Sequence, residues 1–255
     1  MMRILRYQDL IHTLVIRELK VRYRRSAIGF LWTMLQPLLT MLVLHMVFST
    51  LFRFKVHNYP VYALSGILFW NFFQQSIISS MNSLKGNAHI LKKLPVPLEV
   101  FPIATVISGI INLVLAFVPL CAILLVTGHP IDSSILFVPV AILIGAVFTL
   151  GAGLLLSPLA VFFSDVVELV SVVLTLLFYM TPIFYPMSIV EGRAFFWLVR
   201  FNPTRSVLEV FRDPIYLHKI PPLPHLSLAL ILAVVMLAIG AYAFRRMSDR
   251  IPFYL

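Results

Sequence analysis

The chain has 255 residues, of which 60% are apolar and only 12% charged, and its mean hydropathy is +0.98. Soluble domains carry roughly 45–50% apolar and about 25% charged residues, so an ordinary soluble protein is excluded, as are a disordered chain, a collagen, a disulfide scaffold and a coiled coil. The net charge of +10 comes from Lys and Arg placed between apolar blocks, which reads as membrane topology rather than as a nucleic-acid surface.

In chain order, residues 1–30 form a basic segment whose 7–21 stretch has helical periodicity. Tyr7, Leu10, Ile11, Leu14, Val15, Leu19 and Val21 share one half; Asp9, His12, Thr13, Arg17 and Lys20 share the other, and Ile16 and Glu18 break the pattern. A basic amphipathic helix just before a span suits the plane of the membrane interface. No cleavable signal peptide is expected, because the first apolar stretch starts near Phe30, is too long for an h-region and lacks a small-residue cleavage site.

At about 20 residues per crossing, an all-α integral membrane domain with six spans is expected, at 31–52, 61–82, 101–127, 135–163, 166–184 and 226–244. The first span holds His45, the one ionisable side chain well inside an apolar block, for which a packed or hydrogen-bonded role is expected. A polar hairpin at 53–60 joins the first two spans. Residues 83–100 turn polar and helix-breaking (Lys85, Gly86, Asn87, Lys92, Lys93, Pro95, Pro97, Glu99), with a short helix expected over 87–94, capped near Asn87 and stopped by Pro95.

Cys121 lies in the third apolar run and reads as a buried small hydrophobe. Pro119, Pro139 and Pro158 fall in spans three and four, where neighbouring helices can re-satisfy the backbone. Ala141, Gly145, Thr149, Gly153 and Ser157 recur every fourth residue of span four, a spacing that lets another helix approach closely. The apolar block 135–184 is divided at Ser164-Asp165. The 185–225 stretch is too apolar for a solvated loop and too interrupted for a span, so two short re-entrant helices are expected there. Asn202 is the natural N-cap of the second, Pro203 its first residue, and Pro214 its stop. With this division thirteen of the twenty basic residues fall on the side of the termini and the 83–100 loop, which places both termini in the cytoplasm.

The stretch 17–39, RELKVRYRRSAIGFLWTMLQPLL, resembles the opening signature of permease subunits of type-2 ABC exporters, in particular those of lipid-linked polysaccharides such as O antigen, capsule or teichoic acid. The matching residues are Glu18, Lys20, Arg22, Tyr23, Arg24, Ser26, Gly29, Trp32, Gln36 and Pro37. The proline-containing 92–97 segment, the TPIFYP run at 181–186 and the NPTRSVLEVFRD run at 202–213 agree with it. One departure is Ser164, where the family often has an Arg before the Asp.

The resemblance implies a permease that pairs with a second copy of itself and with two ABC ATPase subunits, moving a lipid-linked polysaccharide from the cytoplasmic side across the bacterial inner membrane. It implies that Asn87, His89, Lys92, Lys93 and Leu94 form a coupling helix inserted into the ATPase. ATP and Mg would bind the partner and no cofactor this chain; indeed no Walker-type phosphate loop occurs. Arg22, Arg24 and Arg25 lie where a lipid pyrophosphate would approach, although positive-inside placement explains them equally well. Tyr185, Phe195, Phe196, Trp197 and Phe201 would line or gate the exit for glycan, or else form an aromatic belt at the headgroups. An exporter of a drug or small lipid shares this architecture. A membrane-embedded enzyme would need clustered carboxylates or His, whereas Asp165 and Glu168 stand almost alone on one side and Glu191, Glu209 and Asp213 show no metal spacing on the other.

Overall fold

The computed structural model of the chain describes residues 7–23, 28–50, 56–94 and 96–254. All regular structure in them is helical: α1 (Gln8–Tyr23), α2 (Leu31–Thr50), α3 (Tyr59–Gly86), the one-turn α4 (Ala88–Leu91), α5 (Val100–Val126), α6 (Val138–Phe162), α7 (Val166–Met180), the short α8 (Phe196–Arg200), α9 (Pro203–Tyr216) and α10 (Leu223–Ser248).

Among the described residues, four helical stretches are long and apolar enough to cross a bilayer: Leu31–Phe48, Val100–Val126, Ser133–Phe162 and Leu223–Ser248. The other two expected spans differ from these for separate reasons. α3 runs 28 residues but carries Asn71, Gln74, Gln75, Asn82 and five serines, polar groups it can hold because most of its surface is covered by protein. α7 has only 15 residues. It stops at Met180 because Pro182 disfavours the helical conformation in the residue before it, and Thr181 is extended with ψ 133°.

Local chemistry explains the other boundaries. Asn58 (φ 47°) turns left-handed just before the Tyr59-Pro60 start of α3, and Gly128 (φ 62°) turns the chain out of α5 in the conformation only glycine adopts freely. Pro139 belongs to the first turn of α6, where no N–H is required of it, whereas Pro119 and Pro158 lie inside their helices.

α3 is the axis of the bundle. Leu64, Leu68, Phe69, Trp70, Ile77 and Met81 are buried on it, and α2, α5, α6 and α9 pack around it. The small-residue row of α6 is wholly buried, and its partner is α3. A Cβ on Gly145 would lie 3.0 Å from the Phe69 ring and one on Gly153 2.8 Å from Ser80 Oγ. On another face, Gly151 and Gly240 bring the backbones of α6 and α10 together, with no room for a Cβ on either.

The bundle has two poles. At one, Leu14 and Val15 of α1 cluster with Leu84, Val100, Phe101, Leu154, Val161, Phe244 and Ile251. At the other, Asn58, His129 and Tyr216 gather the turns that open α3 and close α5 and α9. Two expectations are corrected. The apolar stripe of α1 is covered by protein, chiefly α5, rather than left to face lipid, except at its end, where Val21 is 63% exposed. Cys121 is exposed on the outer face of α5, because in an apolar bundle hydropathy does not distinguish an inward-facing position from an outward-facing one.

Candidate functional site

The first pole carries the 83–100 segment. Asn87 stands at the start of α4 but does not cap it. Its side chain is buried, donating from Nδ2 to Ser83 O at 2.7 Å and accepting from Arg17 Nη2 of α1. The expected cap is thus a clasp between α1 and the end of α3. The helix is shorter than expected, four residues, and His89, Lys92, Lys93 and Leu94 project from it exposed. Asn87 is thus the buried foot of a turn from which His89, Lys92, Lys93 and Leu94 are exposed.

α1 continues from this clasp along α5. Leu14 and Val15 meet the first turn of α5, Glu18 bonds Ser108, and Tyr23 Oη donates to Asn112 Oδ1 at 2.5 Å. From Val100 to Asn112 the contact climbs about 18 Å at 1.5 Å per residue. Glu18 is pushed up from the usual carboxylate range by burial, opposed by its Ser108 hydrogen bond and by Arg22 and Arg17.

Where α1 ends, it roofs a cavity of about 350 Å³ lined by α2, α3 and α5. Arg22, Tyr23, Gly29, Trp32, Gln36 and Pro37, residues dispersed along the opening signature, meet here. The other wall was not legible in the sequence: Asn71, Gln75, Ser76 and Ser79 of α3 with Asn112 of α5. The signal that could have found them is the excess of amides and hydroxyls in the middle of α3, too polar for a lipid-exposed helix. Arg24 and Arg25 lie outside the described residues.

At the second pole the chain leaving α7 is held by a buried arginine. Arg212 of α9 is 4% exposed. It donates from Nη1 to Pro182 O at 2.7 Å and from Nη2 to Ile183 O at 2.8 Å, with its guanidinium 4.0 Å from the Tyr62 ring centre. Tyr62 Oη donates to Tyr185 O at 2.8 Å and Tyr59 Oη to Phe184 O at 2.9 Å. The carbonyls freed where α7 stops are thereby satisfied by α3 and α9, as a dry setting requires. Gly66 sits under Arg212, and a Cβ there would overlap Nη2.

Asn202 caps α9 through Thr204 N at 3.0 Å, with Pro203 following as the first residue, and its Nδ2 donates to Thr181 Oγ1 at 2.9 Å. Pro214 does not stop the helix. It lies in the last turn, which ends at Tyr216. Among the expected exit aromatics, Trp197 and Phe201 stack at 5.8 Å and Arg200 lies over the Phe196 and Trp197 rings at 5.6 and 5.5 Å. Phe195, Trp197 and Phe201 are exposed. Tyr185 belongs to a different group, packed on Phe184 at 5.1 Å with its hydroxyl donating to Tyr179 O. His45 stacks on Tyr59 at 5.9 Å, and Ser164 Oγ donates to Asp165 Oδ1 at 2.9 Å in the exposed turn after α6.

Comparison with known proteins covers nearly the whole chain. Residues 9–216 match the family model described as ABC-2 type transporter. The chain is 32% identical to an O-antigen export system permease protein, RfbA, of Myxococcus xanthus, over 91% of this chain and 89% of that one. It is 28% identical to the protein of the same name in Klebsiella pneumoniae, over 95% and 93%. It is 21% identical to the polysialic acid transport protein KpsM of Escherichia coli, over 94% and 93%.

Proposed function

The chain belongs to the ABC-2 type transporter family, and from that premise we propose that it is the membrane permease of an ATP-driven exporter of a lipid-linked, O-antigen-like polysaccharide. The observation that carries the reading is its similarity, over nine-tenths of its length, to a permease named for O-antigen export. The chain does no covalent chemistry. A separate ABC ATPase hydrolyses ATP with Mg, and two permease copies form the path through the bacterial inner membrane.

The six helices α2, α3, α5, α6, α7 and α10 each cross the bilayer. α3 crosses despite its polar groups because protein surrounds it, and α7 because the 181–186 segment pinned by Arg212 extends it. Both termini are cytoplasmic, so the pole of α1 and the 83–100 segment meets the ATPase and the pole of α8 and α9 faces outward. Movement of the ATPase reaches the bundle through His89, Lys92, Lys93 and Leu94, and passes through the Asn87–Arg17 clasp into α1. A shift of α1 then changes the balance between closed and open bundles. Arg22, Arg24 and Arg25 receive the phosphate end of the cargo. The exposed rings of Phe195, Trp197 and Phe201, with the half-buried Phe196 among them, give its sugars apolar faces on the way out, with Tyr185 holding the segment beside them.

Deleting the gene tests the reading. Lipid-linked glycan should accumulate on the cytoplasmic face and surface glycan should disappear. Normal surface glycan in a clean deletion would sink it.

A further inference from the structure

The cavity beneath the end of α1 is lined by amides and hydroxyls around a single cation, and two of its buried polar atoms are left without a partner. Arg22 is the one charged side chain among its described lining residues. Its Nη1 donates to Gln75 Oε1 at 2.9 Å, which turns the Gln75 amide so that Nε2 is the end left to donate. Tyr23 Oη spends its proton on Asn112 Oδ1, which fixes the Asn112 amide in the same sense. Asn112 Nδ2 has no partner, nor has Ser76 Oγ beside it, and these side chains are only 6% and 2% exposed. Buried donors are rarely left unmet, because nothing repays their removal from water. Glu18, one turn before Arg22, is engaged with Ser108 and faces Arg22 and Arg17, but it is not among the residues that line the cavity.

The surroundings select what does. The floor is Ser76 and Asn112, and the mouth is exposed Arg22, Gln75, Gln36 and Trp32. Beside that mouth, α2 presents Leu35, Leu39 and Val43 in one exposed apolar line. A polar cavity with a cation at its lip and an apolar track leading away from it fits a headgroup with its chain attached better than a free ion.

We infer that this cavity is a binding site for the phosphate group at the head of a lipid. Arg22 supplies the charge, Gln75, Ser76 and Asn112 supply the donors, and the lipid chain lies along α2. This rests on the reading that the chain handles a lipid-linked cargo, and it places that cargo's phosphate behind α1 rather than on the basic surface alone.

The test uses the full-length chain in detergent micelles, exposed to phosphatidic acid or to phosphatidylcholine, with bound lipid counted by native mass spectrometry. Phosphatidic acid should be retained over phosphatidylcholine. Asn112→Asp keeps the shape and the acceptor for Tyr23 but replaces a donor with a carboxylate, and it should lower retention about tenfold, the scale of one charge-assisted hydrogen bond. If that variant melts early, Arg22→Gln at the exposed mouth carries the same expectation. Equal retention by the wild type and by whichever of these variants keeps the wild-type melting temperature overturns the site. Inorganic phosphate in millimolar excess should not displace the lipid, and displacement by it would overturn the lipid assignment in favour of a free anion. The two readings fail separately. Normal surface glycan in the deletion strain would remove the export function and leave the binding result standing, whereas cavity-independent binding together with lost surface glycan would remove the site alone.

Discussion

Arg212→Met is the sharpest test of how the second pole is held. The substitution removes two charge-assisted hydrogen bonds, at 2.7 Å to Pro182 O and 2.8 Å to Ile183 O, and a guanidinium 4.0 Å from the Tyr62 ring. At about 1.5–3 kcal/mol per hydrogen bond and about 1–2 kcal/mol for the ring contact, the gross loss is about 4–8 kcal/mol. Relief from burying a guanidinium returns several kcal/mol, so the net cost is about 3 kcal/mol, close to that of breaking other buried charged contacts. For a chain of this size roughly 2–4 °C are lost per kcal/mol, so thermal unfolding of the purified chain in micelles should shift down by about 6–12 °C. Gly66 provides an independent arm. Gly66→Ala should be costly in the wild type, because its Cβ overlaps Arg212 Nη2, and much cheaper in the Arg212→Met background, with the two effects coupling in a double-mutant cycle. An Arg212→Met chain that melts within a degree of the wild type, or strict additivity with Gly66→Ala, would refute the pin.

Three further outcomes are expected. Lys92→Glu with Lys93→Glu should leave the melting temperature nearly unchanged, since both side chains are exposed, yet uncouple ATP hydrolysis from glycan export in the assembled transporter; coupling at the wild-type level would remove the docking role. Gly240→Ala forces a Cβ into the Gly151 backbone, which cannot swing aside as a side chain can, so it should cost at least about 1–3 kcal/mol, read as a lower melting temperature. Burial and the neighbouring Glu209 push the Asp213 carboxyl up to about 6 from 3.8, against Arg212 and His225, so the folded chain takes up that proton more readily than the unfolded one and gains stability as pH falls from about 7 toward 4. His129, held below its usual 6.5 by burial and by His218 and His57, works the other way and loses stability as pH falls through 6.5. Asp213→Asn should therefore be most favourable relative to the wild type at pH 8, with an advantage that shrinks as pH falls through 6 and is gone only near pH 4; a difference in melting temperature that stays constant across this range would refute the shift.

Much of the fold follows from features that need no partner. Composition alone assigns the chain to a membrane. The Asn202-Pro203 start of α9 and the Gly128 end of α5 are written in single residues, because a cap side chain or a positive φ is a property of a few consecutive backbone units. The opening signature likewise marks Arg22, Tyr23, Trp32 and Gln36 before any packing is known, and these do come together.

Tertiary structure decided the rest, and it did so where one residue type serves two surroundings. An apolar side chain suits lipid and protein core equally, so hydropathy did not reveal that Cys121 faces outward or that the apolar stripe of α1 is covered by α5. A polar side chain is ambiguous in the converse way. Asn87 reads as a cap until Arg17, seventy residues away, is seen to hold it. Arg212 reads as one more basic residue until the carbonyls of 182 and 183 are seen in its grip. Periodicity reports which residues share a helix face, but what covers that face is set by contacts between distant parts of the chain, and those are created by folding.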